Sequence, residues 1–268
     1  MTTLPVLAVR GRTLPEAWEN SLIALRAEGR PTSSEHAPKG TDRTLDCTML
    51  MTVDEPLAEP RIHRCLPAGL EDLWVYVEEV LNGVHDHWIN PAAGQWSYTY
   101  HRRLTDYQGV DQLAGVLDTL AKTPHSRRAQ AITWVPRDDL GAPDPPCLQR
   151  LWMRLVGDSD DLALVMNCHW RSRDALKAAF MNLFALSELQ RWAAAALAER
   201  LGAPVRCARL MDVSDSYHLY LGYADEWRAF WVSLADRGFA ERTYTTDFAA
   251  PFRDEALERL REERAQGR

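Results

Sequence analysis

A cysteine that follows two prolines is the group in this sequence best suited to covalent chemistry. Cys147 comes directly after Pro145 and Pro146. Because proline fixes its own φ and pushes the preceding residue into an extended conformation, this cysteine is predicted to lie on a stiff turn. Its thiolate would be the reactive form, and nearby guanidinium groups are expected to lower the pKa of the thiol. The alternative is a buried structural cysteine near surface arginines.

Arginines stand on both sides of this cysteine in the sequence. Arg127 and Arg128 follow a serine upstream, and Arg171 and Ser172 lie downstream. A guanidinium donates paired hydrogen bonds to phosphate oxygens, and a hydroxyl adds another donor. A thiol beside such a phosphate site predicts covalent chemistry on a phosphorylated metabolite. Arg43, in a polar stretch, is by itself more typical of a solvated surface charge.

Bulk properties narrow the class of protein. The 268 residues carry a formal net charge of −7, which argues against nucleic-acid or anionic-membrane partners. The five cysteines are scattered without CxxC spacing, which predicts free thiols and a cytoplasmic setting. We find no signal peptide, internal repeat or linker, and we expect one domain over residues 1–268.

Regular elements must position these groups, and the patterning predicts both strands and helices. Strands are predicted over residues 4–9, 49–53, 129–135, 151–156, 162–168 and 205–213. Helices are predicted from Thr13 to Gly29 and over residues 69–81, 110–120 and 175–200. Residues 30–43 and 136–146 are predicted loops, and residues 96–103 a strand or turn. Helical character returns after Ala224, and residues 252–268 are expected to form a solvated helix or a frayed tail.

The segment from His85 to Trp88 superficially suggests a metal site. His85, Asp86 and His87 are consecutive, but no further set of cysteine, histidine or carboxylate residues at matching spacing completes a ligand set. We therefore predict no metal.

Several dispersed motifs together resemble the thymidylate synthase family, which includes the pyrimidine nucleotide hydroxymethylases. The likeness is greatest to its archaeal-type branch and runs from about Leu14 to Tyr223. The motifs are Arg128-Ala-Gln-Ala-Ile-Thr-Trp134 after Arg127, Pro145-Pro-Cys-Leu-Gln-Arg150, His169-Trp-Arg-Ser-Arg-Asp174, Glu59-Pro-Arg-Ile-His63 and Gly83-Val-His-Asp-His-Trp88.

The resemblance implies an α+β fold, a large mixed sheet flanked by helices, in a homodimer whose sheets pack back to back. It also implies that Cys147 adds to C6 of a pyrimidine ring, so that C5 attacks the one-carbon unit of 5,10-methylenetetrahydrofolate. Arg127 and Arg128 would come from the other subunit.

The remaining family roles follow residue by residue. The resemblance assigns phosphate binding to Arg43, Arg127, Arg128, Arg171 and Ser172. It assigns recognition of the base to Asn182 and binding of the ribose to His218 and Tyr220. Asp174 would bind the pterin, Tyr98 would add a substrate contact, and Trp88 would add a cofactor contact.

The sequence departs from the family pattern in places that matter for chemistry. The general-acid glutamate is replaced by Tyr76 at the aligned position, so Glu79, with Glu78 as the less favoured choice, is expected to supply the carboxyl group. Leu148 replaces a histidine that follows the nucleophile, and Ser216 replaces a ribose-side aspartate. The family's short apolar tail, which closes over folate, is replaced here by charged residues, and a site open to water favours trapping of the one-carbon unit by water.

The leading hypothesis is therefore folate-dependent hydroxymethylation at C5 of CMP, dCMP, UMP or dUMP. The alternatives are reductive methylation of dUMP and a catalytically inactive nucleotide-binding protein. Asn182 favours uracil, but an amide can flip and cytosine stays open.

Overall fold

The computed structural model describes residues 3–34, 43–158 and 161–266. Its strands are β1 Val6–Gly11, β2 Arg30–Ser33, β3 Arg43–Val53, β4 Ile62–His63, β5 Gln130–Ile132, β6 Leu148–Val156, β7 Leu162–Asp174, β8 Val205–Tyr220 and β9 Thr243–Tyr244. Its α-helices are α1 Leu14–Glu28, α2 Leu70–Asn82, α3 Tyr100–Thr105, α4 Gln112–Lys122, α5 Pro136–Asp139, α6 Ala179–Leu201, α7 Ala224–Asp236 and α8 Thr246–Ala265. Short 3₁₀ turns cover Asp86–Trp88, Pro91–Ala93 and Phe239–Arg242.

A mixed seven-stranded sheet forms the centre of the fold. Its order is β1-β3-β8-β7-β6-β5, and β2 pairs with β3 beside this path. β1 with β3 and β7 with β8 are parallel, and the other pairs are antiparallel. The expected α+β class with a large mixed sheet is confirmed.

Helix α6 packs against one face of this sheet and is covered by other helices. It contacts β7 and β8 on one side and α1, α2 and α4 on others. Phe180, Leu183, Phe184 and Leu197 are almost fully buried, as expected for a helix surrounded by other elements. Since α2 lies directly on α6, the positions of its side chains are fixed relative to the sheet.

A buried ion pair joins the two central strands. Arg173 of β7 pairs with Asp212 of β8, and both side chains are 1% exposed. The indole Nε1 of Trp170 donates to the second Asp212 oxygen at 2.8 Å, and the Arg173 guanidinium stacks over the Trp170 ring. Because the residues on either side of Arg173 belong to the predicted site, this pair also supports that site.

Four predictions of local structure are wrong. Residues 30–33 form the short edge strand β2, whose backbone pairs with β3 although its sequence is polar. Residues 136–139 form a helical turn, and residues 100–105 form α3, which Thr99 caps by accepting from the Arg102 N–H at 3.0 Å. β3 and β8 extend well beyond their predicted bounds, because they pair along nearly their whole length.

A fifth correction concerns the charged C-terminal segment, which is helical, as one of its two expectations had it, but is docked rather than solvated. α8 packs on α2, and its Ala249, Ala256 and Leu260 are buried. Arg259 pairs with Glu71 at 2.6 Å and with Asp72 at 3.6 Å. Few apolar positions therefore suffice to dock α8 on α2, since ion pairs and small buried side chains complete the contact between the two helices. In the three described ranges, no helix is long and apolar enough to cross a membrane.

Candidate active site

Cys147 lies on the turn that leads into β6, and one arginine holds that turn in place. The Arg171 side chain donates from Nε to the Pro146 carbonyl at 3.1 Å and from Nη2 to the Pro145 carbonyl at 2.6 Å. Its backbone N–H donates to the Cys147 carbonyl at 2.9 Å. The position of the thiol is therefore set by β7, the neighbouring strand, as well as by the two prolines.

The electrostatic surroundings of Cys147 differ from the sequence expectation. Burial raises the pKa of the thiol, the Arg171 charge lowers it, and the Asp144 charge raises it again. The net effect is a pKa above the ordinary value: Arg171 lowers the pKa as expected, but in the single chain burial outweighs it. Desolvation of a thiolate outweighs one guanidinium, and the thiol needs a base or a further cation to ionise near neutral pH.

Two tyrosines lie next to the nucleophile. Tyr100 Oη accepts a hydrogen bond from the Leu148 N–H at 3.3 Å. Burial raises the pKa of Tyr98 to about 12, and the Cys147 charge adds to that rise. Both phenols are thus neutral donors beside the thiol.

These tyrosines also line a cleft of about 780 Å³, a volume in the range of small-molecule sites. Trp96, Tyr76, Asp144 and Glu79 line it too. Tyr76, which stands where the family has its glutamate, accepts a hydrogen bond from Asn182 Nδ2 at 2.6 Å. Tyr76 therefore links Asn182, the residue expected to read the base, to the cleft that Glu79 of α2 also lines.

Glu79 reaches the cleft from α2 and is paired with a histidine that sequence reasoning did not assign. His85 Nδ1 lies 2.6 Å from Glu79 Oε1. Burial raises the pKa of Glu79, and the hydrogen bond to His85 opposes part of that rise. Glu78 is instead buried and accepts from the Asn82 amide. Of the two carboxyl groups considered, Glu79 is the one that lines the cleft.

His85 returns to α2 because the chain turns sharply at Gly83. This glycine adopts φ +61°, and a Cβ there would collide with the His101 ring and the Asp86 carboxylate. The His85 ring then stacks on Trp88 with centroids 3.7 Å apart and planes at 7°. In the described ranges no group of three or more histidine, cysteine, aspartate or glutamate side chains could hold a metal ion.

A second group of polar residues lies where β3, β7 and β8 run side by side. Asp174 is paired in register with His218, and Thr44 with Tyr220. The His218 and Tyr220 rings touch edge to face with centroids 5.0 Å apart. Burial raises the pKa of Tyr220, and the charges of Asp174 and Cys147 add to the rise. This group therefore adjoins the nucleophile.

Ser216, the departure from a family aspartate, is paired with a carboxylate from another strand. Its hydroxyl lies 3.0 Å from Asp46 Oδ2 and 3.2 Å from His218 Nδ1. Burial raises the pKa of Asp46, and the hydrogen bond from Ser216 lowers it. Asp46 thus supplies nearby the carboxyl group that the family aspartate would provide at position 216. No sequence pattern indicates it, because only the β3–β8 pairing brings Asp46 to this point.

The other phosphate-binding candidates are not gathered around Cys147 within one chain. Arg43 is exposed at the start of β3, and Ser172 pairs in register with Ser216. Arg127 and Arg128 are exposed just before β5, and across the described residues their side chains form no ion pair. The structure therefore leaves these two guanidinium groups facing outward.

Asp174, the predicted pterin-binding residue, lies at the end of β7 and is held by hydrogen bonds from the backbone. Asp174 Oδ1 accepts from the backbone N–H groups of Leu176 and Lys177 at 2.9 and 2.8 Å. Burial raises the pKa of Asp174 despite these hydrogen bonds.

Comparisons with known proteins identify relatives of this chain. Residues 75–229 match the family model described as thymidylate synthase. A protein of Methanopyrus kandleri named "Putative thymidylate synthase" is 30% identical over 196 residues, which cover 73% of this chain and 85% of the relative. Proteins of the same name from Methanothermobacter thermautotrophicus and Methanosarcina mazei are 31% and 27% identical over 70% and 79% of this chain, and over 85% and 88% of their own lengths.

Proposed function

Because the chain belongs to the thymidylate synthase family, we propose that it adds a hydroxymethyl group to C5 of a pyrimidine nucleoside 5′-monophosphate. As a member of this family it is a one-carbon transferase. CMP, dCMP, UMP and dUMP are the candidate substrates, and 5,10-methylenetetrahydrofolate would supply the carbon at the oxidation level of formaldehyde. The observation that carries the proposal is the Glu79 carboxyl group, which lines the largely apolar cleft and is hydrogen-bonded to His85.

The first step is nucleophilic addition by the cysteine. The Cys147 thiolate forms a bond to C6, and the C5–C6 π electrons shift to make C5 nucleophilic. Arg171 stabilises the thiolate and fixes its turn. Asn182 donates to Tyr76, which lines the cleft, and its amide could donate to or accept from the base edge.

The step that decides the product is the fate of the one-carbon unit on C5. C5 would bond to the one-carbon unit and lose its proton, and the carrier would leave as tetrahydrofolate. Water would then add to that carbon while Cys147 leaves C6, which gives a hydroxymethyl group without any change in oxidation level, and a base must accept the proton that water loses. Glu79 suits this role, because a carboxyl group with a raised pKa is an effective base near neutral pH. The cleft's volume and the aromatic rings of Trp96 and Tyr98 suit a stacked pterin ring.

The phosphate is proposed to lie near Arg171 and Ser172, with Arg43 and, from a second subunit, Arg127 and Arg128. The support is that both Arg127 and Arg128 are exposed in one chain. His218 and Tyr220 would hold the ribose, and Asp174 and Trp88 would contact the folate. Free thiols at all five described cysteines support a reducing, cytoplasmic setting.

Product mass tests the proposal directly. The purified protein would be incubated with methylenetetrahydrofolate and, in turn, each of the four nucleotides. We expect a product heavier by one formaldehyde unit together with tetrahydrofolate. A product heavier by a methylene unit, with dihydrofolate, would instead establish reductive methylation, which the names of the relatives favour.

Two variants complete the test. Cys147→Ser should abolish turnover, and full turnover in it would refute covalent catalysis. Mixing Cys147→Ser with Arg128→Gln should restore activity if arginines cross the interface, since one site of the mixed dimer is then intact. Absence of restoration, with mixed dimers shown by native mass spectrometry, would refute that exchange.

A further inference from the structure

His85 has a second ring nitrogen that the site described above does not use. Its Nδ1 is paired with Glu79, but Nε2 is buried without a hydrogen-bond partner in the described part of the chain. The side chain is 6% exposed. A buried polar atom without a partner costs free energy, so such an atom in a site calls for a functional explanation.

The unpaired nitrogen faces a second cavity, of about 590 Å³, between the α2–His85 segment and α8. Its lining includes His85, Glu263, Arg261 and Arg264. Glu263 Oε2 lies 4.0 Å from His85 Nε2. Since hydrogen bonds between such groups span about 2.7–2.9 Å, a shift of about 1 Å in this partly exposed side chain would close the contact.

Glu263 is held in this direction by its own helix. Its other oxygen, Oε1, lies 3.8 Å from Arg259 Nε, one helical turn earlier. Arg259 is in turn fixed by Glu71 on α2. A line of polar groups thus runs from α8 through Glu263 and His85 to Glu79, with the His85–Glu263 step open at 4.0 Å.

We propose that His85 and Glu263 form a proton relay that connects Glu79 in the reaction cleft with solvent beneath α8. When Glu79 has taken up a proton, it passes that proton to His85 Nδ1 while Nε2 releases one to Glu263, which gives it to solvent. Glu79 and Glu263 are then deprotonated again, and His85, left as the Nδ1–H tautomer, must return to the Nε2–H tautomer before the next turnover. His85 and Glu263 are positioning and proton-transfer residues, because neither touches the reacting atoms. This inference rests on the proposed role of Glu79 as the base.

Other charged groups also face the His85 segment. Asp86 and His87 flank it, Arg261 and Arg264 face it from α8, and Glu79 faces it from α2. Asp86 is engaged by His101 at 2.7 Å, and Arg261 and Arg264, which are already protonated, cannot accept a proton. Glu263 is therefore the acceptor on α8 best suited to the His85 Nε2 proton.

The test compares Glu263→Gln with Glu262→Gln, the neighbouring exposed glutamate on the same helix. Release of tritium from C5 of the nucleotide measures the loss of the C5 proton, which accompanies substitution at C5 whether the product is hydroxymethylated or methylated. We expect Glu263→Gln to lower kcat about tenfold with KM unchanged, and to raise the solvent deuterium isotope effect. Glu262→Gln should match the parent protein.

His85→Gln gives a second measurement. The glutamine keeps a hydrogen bond to Glu79 but cannot transfer protons, so kcat should fall about a hundredfold while nucleotide binding persists. Equal rates and isotope effects for Glu263→Gln, Glu262→Gln and the parent would overturn the relay. Failure of the proposed function would look different, as a product other than the hydroxymethyl nucleotide from the parent protein itself.

Discussion

Asp212→Asn is expected to destabilise the fold severely, because it removes the charge that balances buried Arg173. The Arg173 and Asp212 side chains are both 1% exposed, so neither charge is stabilised by water. Arg173 also donates to the Ala179 carbonyl at 2.7 Å, which keeps it in place when its partner is neutralised. The guanidinium would then remain buried as an uncompensated cation.

The magnitude follows from two independent estimates. Two unit charges about 4 Å apart attract by about 4 kcal/mol at an effective dielectric constant near 20. Removal of one partner of a buried pair typically costs about 3–5 kcal/mol. We therefore expect the free energy of unfolding to fall by about 3–5 kcal/mol, which for a chain of this size lowers the urea midpoint by about 1–2 M.

Urea denaturation followed by circular dichroism measures the effect. The matched control is Asp54→Asn, which breaks the exposed Arg10–Asp54 pair and should leave the midpoint nearly unchanged. Arg173→Met combined with Asp212→Leu should recover most of the loss, because an apolar pair needs no balancing charge. A loss below about 1 kcal/mol for Asp212→Asn would refute the reasoning that this pair is truly desolvated.

Three further predictions concern single contacts. Asp144→Asn should lower the pKa of Cys147 and speed its alkylation by iodoacetamide at about pH 7, and an unchanged rate would show that Asp144 exerts no influence. Glu79→Gln should lower turnover by about 10²–10⁴. Because the pKa of Glu79 is raised on folding, the parent loses stability as pH rises through that folded pKa. The stability of the variant relative to the parent should therefore increase in urea titrations as the pH rises from the ordinary glutamate pKa of about 4.3 to the raised folded pKa, and a flat difference would contradict the shift. Ser21 Oγ donates to the Trp18 carbonyl and therefore accepts from Tyr217 Oη at 2.7 Å. Calorimetry should thus find Ser21→Ala, which leaves a buried phenol unpaired, more costly than Tyr217→Phe, by about 1 kcal/mol, and the reverse order would refute this donor assignment.

Elements with a strong local pattern could be predicted from the sequence. α2 shows this clearly, because Leu73, Trp74, Val77 and Val80 recur at helical spacing and are all buried. α3 could not be predicted in the same way. The aromatic run of Trp96, Tyr98 and Tyr100 that leads into it favours a strand, and the helix depends on the cap at Thr99 and on contacts with α2 and α4.

The residues of the candidate site differ in the same way, because only some of them belong to a local sequence pattern. Cys147 and Arg171 lie in continuous motifs, and the structure brings them together. The partners that tune the chemistry come from other elements. Asp46 reaches Ser216 only through strand pairing, and His85 reaches Glu79 only after the turn at Gly83. A single sequence contains these residues but not their proximity, so their roles could not be read from spacing.

The side chain of Arg171 links occupancy of the phosphate site to the reactivity of Cys147. It supports the carbonyl groups of Pro145 and Pro146, and it is also a candidate ligand for the substrate phosphate. An anion that draws this guanidinium away would shift the turn that carries Cys147. Thermodynamic reciprocity then requires that a chemical change at the cysteine alter the affinity for that anion by the same factor. Protein alkylated at Cys147 and protein with the free thiol should consequently differ in their affinity for phosphate. The Arg171 guanidinium would thus couple anion binding to the chemical state of Cys147.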